Sequence, residues 1–287
     1  MAEARAGRLI EAAGTWRLAG DLEVHRMGFG AMRITGSGIW GPPEDRGEAV
    51  RVLRRAVQLG IDFIDTADSY GPDTSEELLA EVLHPYPKGL VIATKGGLLR
   101  PGPGEWQRDG RPERLRAACE GSLRRLRVER IDLYQLHAPD PRVPFEDSVG
   151  ALADLRGEGK IRYVGLSNVG VSEIEQARAI VPIVSVQNRY NLGVRDHEAV
   201  LDYCEREGIA FLPWHPLGSG EVLQEPRVLR VAQRHGATPG QVSLAWLLAR
   251  SKAVLPIPGT SKVSHLEENV GAASLRLSDQ ERRELEA

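Results

Sequence analysis

Ile61-Asp62-Phe63-Ile64-Asp65-Thr66-Ala67-Asp68-Ser69-Tyr70-Gly71 reads as a short apolar strand that runs into an aspartate and then into a polar turn carrying a tyrosine. Two later apolar runs end in the same way: Leu90 to Thr94 stops at Lys95, and Ile131 to Leu136 stops at His137. Packing alone does not require a titratable residue at the end of each of these runs. If the strands are parallel neighbours in one barrel, Asp65, Tyr70, Lys95 and His137 converge at one mouth, the end where α/β barrels keep their chemistry.

Outward from that stretch the chain alternates regularly. Thr15 to Leu18 and Leu22 to Val24 flank Ala19-Gly20-Asp21 as a short hairpin. Strand candidates follow at Val24 to Phe29, Ile61 to Asp65, Leu90 to Lys95, Ile131 to His137, Ile161 to Leu166, Ile183 to Gln187, Ile209 to Pro213 and Val254 to Ile257. Between them lie helical patterns, such as Ala49, Val50, Leu53, Ala56 and Val57 ending at Gly60, and Val149, Leu152 and Leu155 ending at Gly157. Alternating strand and helix implies a parallel sheet with right-handed crossovers. Eight such units in 287 residues predict an α/β fold closed as a (β/α)8 TIM barrel, with the N-terminal hairpin closing the barrel floor. No linker divides residues 14–287, which read as a single barrel, and residues 1–13 read as a flexible tail. The Gly/Pro-rich segments Gly36 to Pro43 and Pro101 to Gly110 read as loops at the mouth.

Composition narrows the partners. A net charge of -3 leaves no electrostatic footprint for nucleic acid, and there is no basic amphipathic stretch for a membrane. Residues 1–13 lack the apolar core of a signal peptide. Cys119 and Cys204 stand alone, without metal-ligand or disulfide spacing, which fits a reducing cytoplasm and no metal. The expected partner is a small molecule, and the chain is expected to be a monomer or a weak homo-oligomer. An open dinucleotide-binding sheet is disfavoured, because Gly28-Phe29-Gly30-Ala31-Met32-Arg33 puts arginine where that fingerprint wants glycine. The P-loop, H-E-x-x-H and G-x-S-x-G patterns are absent.

The strand-end residues suit carbonyl reduction. Hydride addition leaves an alkoxide that needs a proton, and an unperturbed tyrosine, with a pKa of roughly 10, is a weak acid for the task. Lys95 is expected to lower the pKa of Tyr70, with Asp65 keeping the lysine charged and aimed. His137 is expected to hold the substrate oxygen beside the phenol. Taken singly, each of these residues is more often a packing or salt-bridge group; their joint placement is what points to catalysis.

From about Thr15 to Leu277 the chain resembles the aldo-keto reductases. The resemblance rests on the segment from Phe63 to Gly71, on Ala93-Thr94-Lys95 and on Asp132-Leu133-Tyr134-Gln135-Leu136-His137. It implies Tyr70, Lys95, Asp65 and His137 as the catalytic set. Gly165-Leu166-Ser167-Asn168 and Val186-Gln187-Asn188 resemble the strand ends that bind the nicotinamide carboxamide, through Ser167, Asn168 and Gln187. Trp214 takes the place of an aromatic residue that stacks on the nicotinamide, and Pro216, Leu217, Gly218 and Ser219 form a turn toward the pyrophosphate. The segment holding Gly259, Thr260, Ser261 and Lys262, with His265, Glu268 and Asn269 after it, is placed at the adenosine end. Lys262 and Ser261 at a helix start suit a 2′-phosphate. His265 stands where many relatives carry arginine, so NADPH (NADP+) is implied, with NADH possible. His215 is a second departure, standing where a small or hydroxylic residue is common. The loop from Gly36 to Pro43 resembles that of a bacterial subgroup with pyridoxal reductase-like members, making Trp40 a candidate substrate wall and pyridoxal a candidate substrate.

Two rival functions use the same residues. Lys95 as a Schiff-base amine would make a barrel lyase, although a neighbouring carboxylate keeps a lysine charged and non-nucleophilic. A non-catalytic NADPH-binding regulatory subunit would keep the cofactor site without turnover.

Overall fold

The computed structural model describes residues 9–218 and 220–287. Its strands in chain order are β1 (Thr15–Ala19), β2 (Leu22–His25), β3 (Phe29–Gly30), β4 (Phe63–Asp65), β5 (Val91–Gly96), β6 (Leu98–Leu99), β7 (Gln107–Arg108), β8 (Ile131–Leu136), β9 (Ile161–Ser167), β10 (Ile183–Gln187) and β11 (Ala210–Phe211). The central sheet runs β11-β10-β9-β8-β5-β4-β3, with every neighbouring pair parallel. β4, β5 and β10 are buried along their whole length, as expected for strands covered on both faces.

The sheet curls into an α/β barrel, and residues 253–258 lie between its two edges. On one side the Phe211 amide donates to Ala253 O at 2.8 Å and the Leu255 amide to Phe211 O at 2.9 Å. On the other the Gly28 amide donates to Pro256 O at 2.9 Å. Pro256 and Pro258 have no amide proton, so this segment pairs as an isolated bridge rather than as the full strand expected over Val254 to Ile257. Closure here also requires glycine: a Cβ on Gly30 would lie 2.6 Å from Ile257 O, and one on Gly259 would lie 2.5 Å from Gly30 O.

The helices cover the outside. α1 (Arg46–Gln58) starts at Asp45, whose carboxylate accepts from the Glu48 amide at 2.8 Å, and buries Ala49, Val52, Leu53 and Ala56 along one stripe. α2 (Thr74–Leu83), α3 (Pro112–Leu126) and α4 (Phe145–Gly157) follow β4, β5 and β8 in turn. α5 (Val171–Arg178) and α6 (Glu198–Glu207) follow β9 and β10. α7 (Pro226–His235) and α8 (Pro239–Arg250) follow β11, and α9 (Val263–Gly271) and α10 (Asp279–Glu286) end the chain. No helix among the described residues is long and apolar enough to cross a membrane.

Three expectations need correction. The run Val24 to Phe29 is not one strand: its start belongs to β2, which pairs antiparallel with β1, and only Phe29 and Gly30 join the central sheet. The loop expected over Pro101 to Gly110 includes β7, paired antiparallel with β6. The tail expected over residues 1–13 falls partly outside the described residues, but its end is packed, with Ile10 and Ala13 buried in the main core.

Inside the barrel the two-residue period of the strands separates apolar from polar layers. Phe63, Val91, Leu133, Val184 and Ala210 form one apolar cluster, which Leu18 and Val24 of the hairpin join. Two or four residues further along the same faces come Asp65, Lys95 and Gln135, and in β10 Gln187 follows Val184 by three, past a register shift in that strand; all four are buried. Polar side chains therefore gather at the C-terminal ends of the strands, above an apolar base.

Candidate active site

The Lys95 ammonium is the centre of that polar layer. Its Nζ donates to Asp65 Oδ2 at 2.7 Å, to the Thr66 carbonyl at 2.8 Å and to the Tyr70 hydroxyl at 3.2 Å, and the side chain is fully buried. Asp65 Oδ1 also accepts from Gln135 Nε2 at 3.2 Å and from Gln187 Nε2 at 2.8 Å. Register explains the convergence: Asp65 pairs with Ala93, and Lys95, two residues further on the same face, pairs with Gln135, so side chains from three adjacent strands reach one another. After Asp65 the chain turns, the Tyr70 amide donating to Ala67 O at 3.2 Å. Gly71, at φ +92, then lets it reverse into α2.

Burial and charge decide the protonation states. Burial alone would push the Lys95 pKa down, but Asp65, aided by Tyr70, outweighs it and raises the pKa above the usual lysine value, so the ammonium stays charged. Burial raises the Tyr70 pKa and outweighs the opposing pull of Lys95, so the phenol stays protonated. This overturns the expectation of a lowered tyrosine pKa, because desolvation of the phenolate exceeds the attraction of one ammonium. His137 is pushed well below the ordinary histidine value, by burial first and by Lys95 second, and is a neutral imidazole. Its ring stands edge-on to Tyr70 at 5.8 Å between centroids, and its Nδ1 is 3.4 Å from Ser69 Oγ.

Above these groups opens a cleft of about 480 Å³, with Asp65, Tyr70 and His137 in its lining and Lys95 beneath it. The comparisons with known proteins bear on this site. The aldo/keto reductase family model matches residues 26–287. The chain belongs to the aldo/keto reductase family. It is 52% identical over 283 residues to an uncharacterized oxidoreductase of Schizosaccharomyces pombe, covering 98% of this chain and 92% of that protein. It is 42% identical over 267 residues to the pyridoxine 4-dehydrogenase of Escherichia coli, covering 91% and 93% of the two. Among solved structures, an aldo-keto reductase from Klebsiella pneumoniae in complex with NADPH matches with a TM-score of 0.79 at 26% identity, over 94% of this chain and 93% of that one.

The cofactor set expected for an aldo/keto reductase divides in two. Ser167, Asn168, Gln187, Trp214, Pro216, Leu217, Gly218 and Gly259 all line the cleft. Ser219 lies outside the described residues. Asn168 is held by its neighbours at φ +60: its Nδ2 donates to the His137 carbonyl at 2.9 Å and to Ser167 Oγ at 3.0 Å, while its Oδ1 accepts from Trp214 Nε1 at 3.0 Å. Thr260, Ser261, Lys262, His265, Glu268 and Asn269 lie outside the cleft lining. Ser261, Lys262 and His265 are exposed, and Asn269 is buried. Glu268 is tied to Thr238 Oγ1 at 2.6 Å. At the start of α9 the Val263 amide donates to the carboxylate of Glu48 at 2.9 Å, so that one amide is already taken by an internal anion.

The substrate side also differs from expectation. Trp40 is not in the lining; Ile39, Leu98 and Trp106 are. Gln135 was missed too, although its spacing two residues before His137 puts it on the inward face with Lys95. Arg33, with Met32, enters the lining beside Gly259. Its one sequence signal was its position at the broken glycine fingerprint.

Asp68 lies behind the catalytic turn. Burial, followed by the charge of Glu76, raises its pKa to about 8, and its Oδ1 has no hydrogen-bond partner among the described residues. Folding therefore holds a proton that the unfolded chain releases above about pH 4, and stability falls as pH rises from there toward about 8. Asp68→Asn should remove this slope, gaining more over the parent at pH 8.5 than at pH 5 in thermal melts. A constant offset between the two pH values would show that Asp68 is already ionised in the fold.

Proposed function

We propose that this aldo/keto reductase reduces a small-molecule aldehyde or ketone to the alcohol with NADPH, using Tyr70 as the proton donor. The observation that carries this reading is the Lys95 ammonium bridging Asp65 and the Tyr70 hydroxyl beneath the cleft. NADPH, when bound, supplies the hydride. The cleft suits a nicotinamide carboxamide: Gln187 Nε2 is committed to Asp65, leaving its Oε1 to accept, and Ser167 Oγ accepts from Asn168, leaving its proton to donate. The NADPH complex of the Klebsiella pneumoniae relative supports the same cofactor.

The protein residues then act in order. Neutral His137 donates to the carbonyl oxygen and holds it beside the phenol. As negative charge builds there, Lys95 and Tyr70 stabilise it from below in a site with little water. Tyr70 passes its proton to the alkoxide, whose conjugate acid is about as weak as water at ~15.7, so transfer is downhill even from a phenol with a raised pKa. The ammonium 3.2 Å away stabilises the phenolate that remains. A Schiff-base role for Lys95 is disfavoured by its full burial and charge. On the same reading the β1–β2 hairpin plugs the barrel floor, supported by Leu18 and Val24 packing with the interior apolar cluster.

The pyridoxine 4-dehydrogenase relative supports pyridoxal as one substrate. A panel of aldehydes, ketones and pyridoxal, followed by NADPH absorbance, tests the reading; NADPH binding without turnover on any of them would favour the regulatory-subunit alternative. Lys262 is exposed at the start of α9, which leaves its ammonium open to a 2′-phosphate. Lys262→Ala should weaken NADPH binding by about tenfold to hundredfold, the worth of one charge-assisted contact, with NADH nearly unchanged. Equal weakening of both cofactors would place Lys262 elsewhere in the binding energetics.

A further inference from the structure

Arg100 sits where three segments framing the cleft mouth come together. Its Nε donates to Glu105 O at 2.8 Å, Nη1 to Ile39 O at 2.8 Å and to Ser69 O at 3.3 Å, and Nη2 to Gly38 O at 2.7 Å. Four carbonyls are thus gathered from the mouth loop, from the residue before Tyr70 and from the turn between β6 and β7. The same guanidinium stacks on Trp106, with Cζ 3.9 Å from the ring centroid. A planar fork with five donors can do this, and a lysine ammonium cannot.

The two side chains that Arg100 braces both line the cleft. Ile39 has φ +57, a left-handed conformation that a β-branched residue avoids unless its surroundings hold it, and Arg100 binds the carbonyls on either side of that α-carbon. Trp106 is 41% exposed, yet its ring stands edge-on to His137 at 6.2 Å between centroids. A large aromatic ring is therefore fixed beside His137, backed on one side by Arg100 and partly open to the cleft. Such a face offers stacking or edge contacts to a flat ring and much less to a flexible alkyl chain.

We propose that Arg100 is a positioning residue that holds Trp106 and Ile39 as walls beside His137, making the site select flat-ring carbonyl substrates over aliphatic ones of similar size. The proposal rests on the reductase reading and deepens it. Its test is the ratio of kcat/KM for benzaldehyde to that for hexanal. Trp106→Ala should lower the ratio by about tenfold, chiefly through KM for benzaldehyde, and Trp106→Phe should restore most of it. Arg100→Lys should lower it comparably, and the double variant should lose clearly less than the two single effects combined, since Trp106 is a wall that both changes remove. An unchanged ratio in Trp106→Ala, or an Arg100→Lys effect as large without Trp106 as with it, would overturn the proposal. A calorimetric comparison of benzyl alcohol and hexanol binding without cofactor keeps the two readings apart. If neither aldehyde is reduced the reductase reading fails, while selective weakening of benzyl alcohol by Trp106→Ala still supports the aromatic wall and equal weakening of both alcohols refutes it.

Discussion

Tyr70→Phe should cut kcat by about 100- to 10,000-fold, the usual contribution of a positioned general acid, while NADPH affinity changes by no more than a few-fold. The variant keeps the ring that faces His137 and removes only the hydroxyl 3.2 Å from Lys95 Nζ. That hydroxyl interacts most strongly with the charge formed in the transition state, so its loss belongs in kcat and not in cofactor binding. Burial adds a second expectation. Because the phenol pKa lies above its ordinary value, activity should show no loss of the acid form between pH 6 and 9. Single-turnover rates across that range, together with cofactor titration by fluorescence, check both points. A Tyr70→Phe enzyme keeping more than about half of the parental kcat would mean that another group gives the proton.

The catalytic layer was legible in the sequence because its signals are local. Asp65, Lys95 and His137 each end an apolar run, and Tyr70 follows within one turn, so strand parity and chain direction are enough to bring them together. The eighth strand shows where local reading stops: the apolar residues of Val254 to Ile257 suggest a strand, but Pro256 and Pro258 leave only part of its ladder. Arg100 and Trp106 were unreadable for a different reason. Trp106 stacks on a residue six positions away, and Arg100 reaches back more than sixty positions to Gly38 and Ile39, contacts that no periodicity encodes. The direction of the Tyr70 shift was also hidden. A nearby lysine can be inferred from sequence, but the extent of burial that outweighs it cannot.

The ion pair beneath the cleft leads to the second large effect. Asp65 accepts from three side-chain donors, and Lys95 has no solvent contact, so Asp65→Asn leaves a buried ammonium facing a neutral amide. Breaking one partner of a buried pair costs about 3–5 kcal/mol, which for a chain of this size is a fall in Tm of roughly 5–8 °C. In the parent, Asp65 and Tyr70 raise the Lys95 pKa, so its stabilising contribution is fully present below the unfolded lysine value and is lost only as pH rises through the higher folded one. In Asp65→Asn the main opposing influence is gone, burial prevails, and the folded pKa drops below the unfolded value. The variant is then destabilised most at low and neutral pH, where the unfolded chain takes up a proton that the fold disfavours, and it recovers as pH approaches ~10. The Tm gap between parent and variant should therefore narrow from pH 7 to pH 9.5. Activity should fall by on the order of 100-fold, because a lysine that Asp65 no longer holds charged and aimed stabilises the charge left on Tyr70 less well. A Tm gap independent of pH would show that Lys95 keeps its charge without Asp65, and the carboxylate would then matter for geometry alone.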